Sequence, residues 1–173
     1  MAGFLGEFHL SVKNKICLDI GSSTGGFVQV LLENGAKKVV AVDVGSGQLH
    51  ANLRDDEKIE LHEQTDIRDF TSKDRFDLIT CDVSFIAFKD VVDSIDKLAN
   101  DEIIILFKPQ FEVGKEAKRD KKGVVCDKRA IQKAREDFEK IATQKGWKLL
   151  SKKPSKFKGK QGNLESFYAF AKR

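Results

Sequence analysis

Cysteine is scarce in this 173-residue chain, long apolar runs are missing, and so is the usual dinucleotide fingerprint. The three cysteines (Cys17, Cys81, Cys126) form no C-x-x-C pair. Cys17 and Cys81 fall inside apolar runs, where a thiol packs as a small hydrophobe, so core packing is expected and metal or redox duty is not. No window approaches the roughly 18 uncharged apolar residues of a membrane span. The N-terminal "MAGFLGEFHL" also lacks a basic region followed by a long apolar stretch. No membrane association is therefore expected, and the expected location is the cytoplasm. G-x-G-x-x-G is absent from the one glycine-rich turn that follows an apolar run. No internal repeat and no linker divides the chain.

What is present bounds the architecture. With 40% hydrophobic and 34% charged residues, the chain has apolar material for one core and too little length for two ordinary domains, so residues 1–173 read as a single domain. Charge is lopsided: residues 1–107 carry 11 Lys/Arg against 19 Asp/Glu, and residues 108–173 carry 20 against 8. A net −8 half joined to a net +12 half suggests that the C-terminal part meets a polyanion, because phosphates are held mainly by lysine and arginine.

Seven apolar or β-branched runs read as strands: 15–20, 38–43, 58–63, 76–83, 102–107, 147–153 and 165–172. Helical periodicity lies between them at 25–35, 88–100 and 128–146. Strands alternating with helices imply right-handed crossovers and a parallel sheet, and the first five strands fit that scheme. The last two are joined by "PSKFKGKQGNL" (154–164), too short for a covering helix, and should pair as an antiparallel hairpin. A seven-stranded, mostly parallel α/β sheet closed by a C-terminal antiparallel hairpin is the layout of the Rossmann-like methyltransferases.

Ligands of such sheets bind beyond the strand carboxyl ends, which puts Gly21 to Gly26 and Asp43 at the site. The first loop reads "DIGSSTGG". At the end of the first strand Asp19 would repel a pyrophosphate and attract an ammonium, which S-adenosylmethionine carries and a dinucleotide lacks. Gly21, Gly25 and Gly26 would give close backbone approach. Asp43 could take both ribose hydroxyls of either cofactor, and Asp66, after the third strand, could accept from an adenine amine or simply be an exposed loop residue. An NAD-type oxidoreductase stands as the alternative, opposed by the missing fingerprint. Asp82, Lys108 and Glu165 should converge on the same sheet edge, the first two at strand carboxyl ends and the third where an antiparallel strand begins.

Five ordered motifs, "LDIGSSTGGFVQVLLENGAKKVVAVDVGSGQL", "DVSFIAF", "KPQFEVGK", "GVVCD" and "GNLESF", resemble the hemolysin A or TlyA-type ribosomal RNA 2′-O-methyltransferases, related in fold to FtsJ-type enzymes. The resemblance runs from about Phe4 to the C-terminus. It implies a Lys-Asp-Lys-Glu catalytic tetrad whose last three members fall on Asp82, Lys108 and Glu165. The implied S-adenosylmethionine pocket falls on Asp19, Gly21, Ser22, Thr24, Gly25, Asp43, Asp66 and Asp82. Members usually begin with an S4-type RNA-binding domain and a stretch supplying the first lysine; neither has a counterpart here, and Lys13 and Lys15 stand at the wrong motif position. The hemolysin name alone raises a membrane-active reading, and neither the helical patterns nor the strand series resembles a membrane-inserting protein.

Transfer to a 2′-hydroxyl needs oxygen, methyl carbon and sulfur in line, and a group that removes the proton or stabilises the developing alkoxide. Lys108 is the expected group, acting electrostatically as an ammonium oriented by Asp82 and Glu165. Ribosomal RNA or a ribosomal subunit should lie across the basic half, with Lys153, Lys156, Phe157, Lys158 and Lys160 gripping phosphates and stacking a base. Residues 114–125 are expected to form a mobile loop over the site, hinged at Gly114 and Gly123.

Overall fold

Along the first strand, β1 (Ile16–Ile20), alternate residues serve opposite layers. Leu18 and Ile20 enter one core cluster, and Cys17 enters the other. The computed structural model describes Leu5, residues 10–156, Gly159 and residues 162–172. After β1 come β2 (Lys38–Val42), β3 (Ile59–His62), β4 (Phe76–Cys81), β5 (Ala99–Phe107), β6 (Lys148–Pro154) and β7 (Ser166–Ala171). The helices are α1 (Gly26–Glu33), α2 (Ala51–Arg54), α3 (Phe88–Leu98), α4 (Pro109–Glu112) and α5 (Lys128–Gln144).

The strands form one seven-stranded sheet in the order β3-β2-β1-β4-β5-β7-β6. Pairing is parallel from β3 through β5 and antiparallel where β7 inserts between β5 and β6. The mostly parallel Rossmann-like sheet and its closing hairpin are thus as the sequence predicts. After β3 the chain returns across the sheet to place β4 beside β1, and this reversal opens a crevice at the carboxyl ends of β1 and β4.

Each face is covered by what its strands expose. Val28 and Leu31 of α1 pack with Cys17, Ala41, Ile104 and Phe167. On the other face Val91 and Ile95 of α3 and Phe138 of α5 meet Leu18, Ile105, Phe107, Tyr168 and Phe170. Phe138 lies at the centre of an aromatic cluster, with ring centroids 4.3 Å from Phe88 and 4.8 Å from Tyr168. Cys17 and Cys81 are buried and Cys126 is exposed. Among the described residues no helix is long and apolar enough to cross a membrane.

The connections depart from simple alternation. Only the four-residue α2 lies between β2 and β3, and residues 63–75 between β3 and β4 contain no helix. There the Asp66 carbonyl accepts from both Asp69 and Phe70 amides at 3.0 Å, a turn that buries Ile67 without an amphipathic stripe long enough for a helix. The predicted 88–100 helix ends at Leu98, because Ala99 is already extended (ψ 137°), buried and paired with Phe76. Residues 114–125 are tied down by an antiparallel bridge between Arg119 and Val125. The Asp120 carboxylate accepts from the Lys122 and Val124 amides at 2.8 and 2.9 Å, so Gly123 closes a tight turn instead of standing as an open hinge.

Candidate active site

Two strand ends are pinned to their neighbours: the Gly21 amide donates to Val42 O at 2.9 Å and the Asp82 amide to Ile20 O at 2.9 Å. Gly21 has φ +79°, and a Cβ there would lie 2.7 Å from the Asp82 carbonyl oxygen, so only glycine lets these backbones approach. Gly25, at φ +95°, begins α1; a Cβ on it would lie 2.4 Å from Leu53 Cδ1. Between them the chain turns so that Ser23 N donates to Asp43 Oδ2 at 2.8 Å, while Asp43 Oδ1 accepts from Gly45 N at 2.7 Å. Asp43 is therefore locked in place before any ligand arrives.

These loops enclose a cavity of about 660 Å³ beyond β1, β2 and β4. Gly21, Asp43, Asp66 and Asp82, all expected at the cofactor site, line it. Asp19, Ser22, Thr24, Gly25 and Gly26 are not lining residues. Ser22 is buried, and its carbonyl accepts from Gly25 N at 2.7 Å, so it shapes the loop from behind; Thr24 and Gly26 are exposed. Asp19 is fully buried; its Oδ1 accepts from Thr80 Oγ1 at 2.5 Å, and among the described residues Oδ2 has no partner. Burial pushes its carboxyl up to about 7 against the Thr80 hydrogen bond, with Asp82 and Asp43 adding to the rise.

The cavity is acidic. Among the described residues four aspartates line it (Asp43, Asp66, Asp82 and Asp90) against a single basic residue, Arg68. Arg68 is itself engaged, with Nε 2.9 Å from Asp66 Oδ1 and a terminal nitrogen 2.6 Å from Oδ2. That fork holds Asp66 below the usual carboxylate range. It also occupies the oxygens expected to meet an adenine amine. Ser23, inside the expected Gly21 to Gly26 loop, lines the same cavity, as do Gln48, Ser84 and Phe85, which the sequence does not single out. Arg68 was findable two residues after Asp66, whereas the backbone turns that bring in the others leave no mark in composition.

At the carboxyl end of β5, Lys108 Nζ lies 2.6 Å from Asp82 Oδ1 in an ionic contact outside hydrogen-bond angles, and donates to Ser84 Oγ at 2.9 Å. The lysine side chain is only 12% exposed. Burial raises the Asp82 carboxyl above its ordinary range, and the Lys108 ammonium opposes that rise. Glu165 is buried one residue before β7, whose Ser166 pairs with Phe107. Its Oε1 accepts from Gln110 Nε2 at 3.0 Å; among the described residues that carboxylate meets Gln110 and not Lys108. The three expected catalytic residues thus share one edge, with Lys108 and Asp82 in direct contact and Glu165 joined to the segment after Lys108.

Glu112 ties the same region together by accepting from Phe88 N at 2.9 Å at the start of α3, and burial pushes its carboxyl up to about 7. Phe85 adopts φ +66° with 92% exposure, its ring 5.0 Å from that of Phe111. Lys15 stands at the opposite, amino-terminal end of the sheet, 2.5 Å from Glu102 Oε2, while the Lys13 backbone packs beside Gly35. Neither approaches Lys108. Of the expected RNA contacts, Lys153 on β6 and Lys156 after it are exposed. Phe157, Lys158 and Lys160 lie outside the described residues.

Comparison with known proteins places this geometry in context. The FtsJ-like methyltransferase family matches residues 1–172. The Campylobacter jejuni 23S rRNA (cytidine-2′-O)-methyltransferase TlyA is 59% identical over 172 residues, covering 99% of this chain and 68% of that protein. The Mycobacterium tuberculosis 16S/23S rRNA (cytidine-2′-O)-methyltransferase TlyA is 39% identical over 172 residues, covering 96% of this chain. This chain spans 64% of that relative's length. Among solved structures, a hemolysin candidate from Lactococcus lactis superposes with a TM-score of 0.92 at 38% identity, covering 99% of this chain and 84% of that one.

Proposed function

The chain belongs to the FtsJ-like methyltransferase family, and from that premise we propose that residues 1–173 act as one S-adenosylmethionine-dependent domain methylating a ribose 2′-hydroxyl of ribosomal RNA. The acceptor named for both relatives is a cytidine, and a cytidine ribose is the acceptor proposed here. The observation that carries this reading is the junction, at one sheet edge, of an acidic cavity with the Lys108–Asp82 pair.

The residues fit the cofactor. A glycine-tight floor at Gly21 and a pre-positioned Asp43 suit an adenosyl group, and four carboxylates with one neutralised arginine suit a ligand bearing ammonium and sulfonium charges. The same walls repel a pyrophosphate, which counts against the NAD-type alternative. When bound, S-adenosylmethionine supplies an electrophilic methyl group. The protein's part is to hold the acceptor oxygen in line and to stabilise the charge that develops on it. Lys108, held by Asp82 and Ser84, keeps its ammonium at the cavity margin, where it offsets negative charge on the ribose oxygen. Paired with a carboxylate, it works electrostatically and not by proton abstraction, so the hydroxyl proton passes to solvent as the methyl moves from sulfur to oxygen and the thioether leaves. Gln110 holds Glu165 at the same edge. The outlying backbone and exposed ring of Phe85 offer a stacking face for the acceptor base.

Ribosomal RNA, free or within a subunit, would reach the site over the basic half, with Lys153, Lys156, Phe157, Lys158 and Lys160 as contacts. The cytoplasm is the matching location. Tritiated methyl transfer from S-adenosylmethionine to ribosomal subunits tests the reading: label is expected on a ribose 2′-oxygen. Label confined to bases or to protein would overturn it.

A further inference from the structure

A second cavity, of about 450 Å³, opens between the N-terminal half of α5 and the segments around Val125 and Asn163. Lys128, Ile131, Gln132 and Arg135 line it from one face of α5, at the three- and four-residue steps that align side chains on a helix. Pro109, immediately after Lys108, also lines it, and Asn163 stands two residues before Glu165. In contrast to the acidic cavity, its lining among the described residues contains two basic side chains and no carboxylate.

Two of its polar groups are incompletely used. Asn163 is 2% exposed; its Oδ1 accepts from Val125 N at 3.0 Å, yet among the described residues its Nδ2 has no partner. Arg135 donates from a terminal nitrogen to Ser166 Oγ at 3.3 Å and lies over the Phe107 ring at 5.8 Å, while its buried Nε is likewise unpartnered. A buried donor without an acceptor is costly, and a ligand that brings acceptor oxygens relieves the cost. The space is far larger than a phosphate needs, and Val124, Ile131 and Leu164 give it an apolar wall. Charge, unmatched donors and an apolar wall together describe a nucleotide: phosphate toward Lys128 and Arg135, base against the aliphatic side chains, and a base or sugar oxygen on Asn163.

We propose that this cavity holds a nucleotide of the RNA strand flanking the one that is methylated, so that the strand is anchored apart from the cofactor. The proposal rests on the RNA methyltransferase reading above. Its test uses cytidine 5′-monophosphate as the probe and the Asn163 side-chain amide as the reporter, followed by heteronuclear NMR on the intact chain. The amide signal should shift saturably. Gln132→Trp, at an exposed helix position whose new ring fills the cavity, and Lys128→Glu, which reverses an exposed charge, should each weaken that response at least tenfold. S-adenosylhomocysteine binding should stay within about twofold in both variants, which also reports that they are folded. An unmoved Asn163 amide, or a shift equally strong in both variants, would overturn the proposal. Loss of S-adenosylhomocysteine binding by the unsubstituted chain, with the nucleotide response intact, would count against the methyltransferase reading and leave the nucleotide pocket standing.

Discussion

The cavity lined by Asp82 and Ser84, the partners of Lys108, and the cavity lined by Pro109, the next residue, differ in charge far more than in size. Among the described residues, one, of about 660 Å³, is walled by four aspartates and a single paired arginine, and the other, of about 450 Å³, has a lysine and an arginine and no carboxylate. The first is built from loops after β1, β2, β3 and β4, all in the acidic part of the chain, and the second from residues 109–164, in the basic part. Opposite electrostatics on one sheet edge therefore follow from chain order. A cationic cofactor and an anionic strand can be drawn to neighbouring sites, each repelled from the other's pocket.

The largest expected effect lies behind the acidic cavity, at the buried Asp19. Folded Asp19 keeps its proton up to about pH 7, whereas an unfolded aspartate releases it near 3.8. The native state therefore binds the extra proton, and stability falls as pH rises across that window, by at most about 4 kcal/mol. Asp19→Asn should gain on the unsubstituted protein between pH 4 and 7, read by urea unfolding at several pH values. A difference that does not change with pH would show that the buried carboxyl is not neutral in the native state.

Next is the residue that pairs with Asp82. Lys108→Ala should lower methyl transfer by roughly 10²-fold or more, the range for removing an oxyanion-type group, while leaving S-adenosylhomocysteine affinity within about threefold. A lysine that only neutralises Asp82 would leave transfer by the folded protein unaltered, and that result would remove Lys108 from the catalytic machinery. The smallest effect sharpens the basic side. Replacing Lys156, Lys158 and Lys160 with alanine should flatten the salt dependence of RNA binding by about 2 in the log–log slope, near 0.7 per lost single-strand phosphate contact. An unchanged slope would mean that the loop does not touch RNA.

How far this was legible in the sequence varies with distance along the chain. Strand periodicity located all seven strands within a few residues, and the short "PSKFKGKQGNL" connection sufficed to require an antiparallel end. Gly21 and Asp43 were legible because their roles are local, a tight turn and a strand-end carboxylate. The Asp82–Lys108 contact, 26 residues apart, followed from topology and motif resemblance together. Less legible was whatever depends on long-range packing. Ala99 looked helical until its pairing with Phe76 is seen, and Asp19 faces a buried layer where a cofactor contact was expected. The positive φ of Phe85 and the meeting of Asn163 with Arg135 across the second cavity have no sequence signature.

Calorimetry distinguishes an acidic cavity that takes S-adenosylmethionine from one that takes a dinucleotide. The folded chain should bind S-adenosylhomocysteine and give no heat with NADH, and Asp43→Ala should weaken the former by about 1.5–3 kcal/mol through loss of charge-assisted bonds to the ribose. Retention of NADH by a protein that ignores S-adenosylhomocysteine would contradict the account at its root.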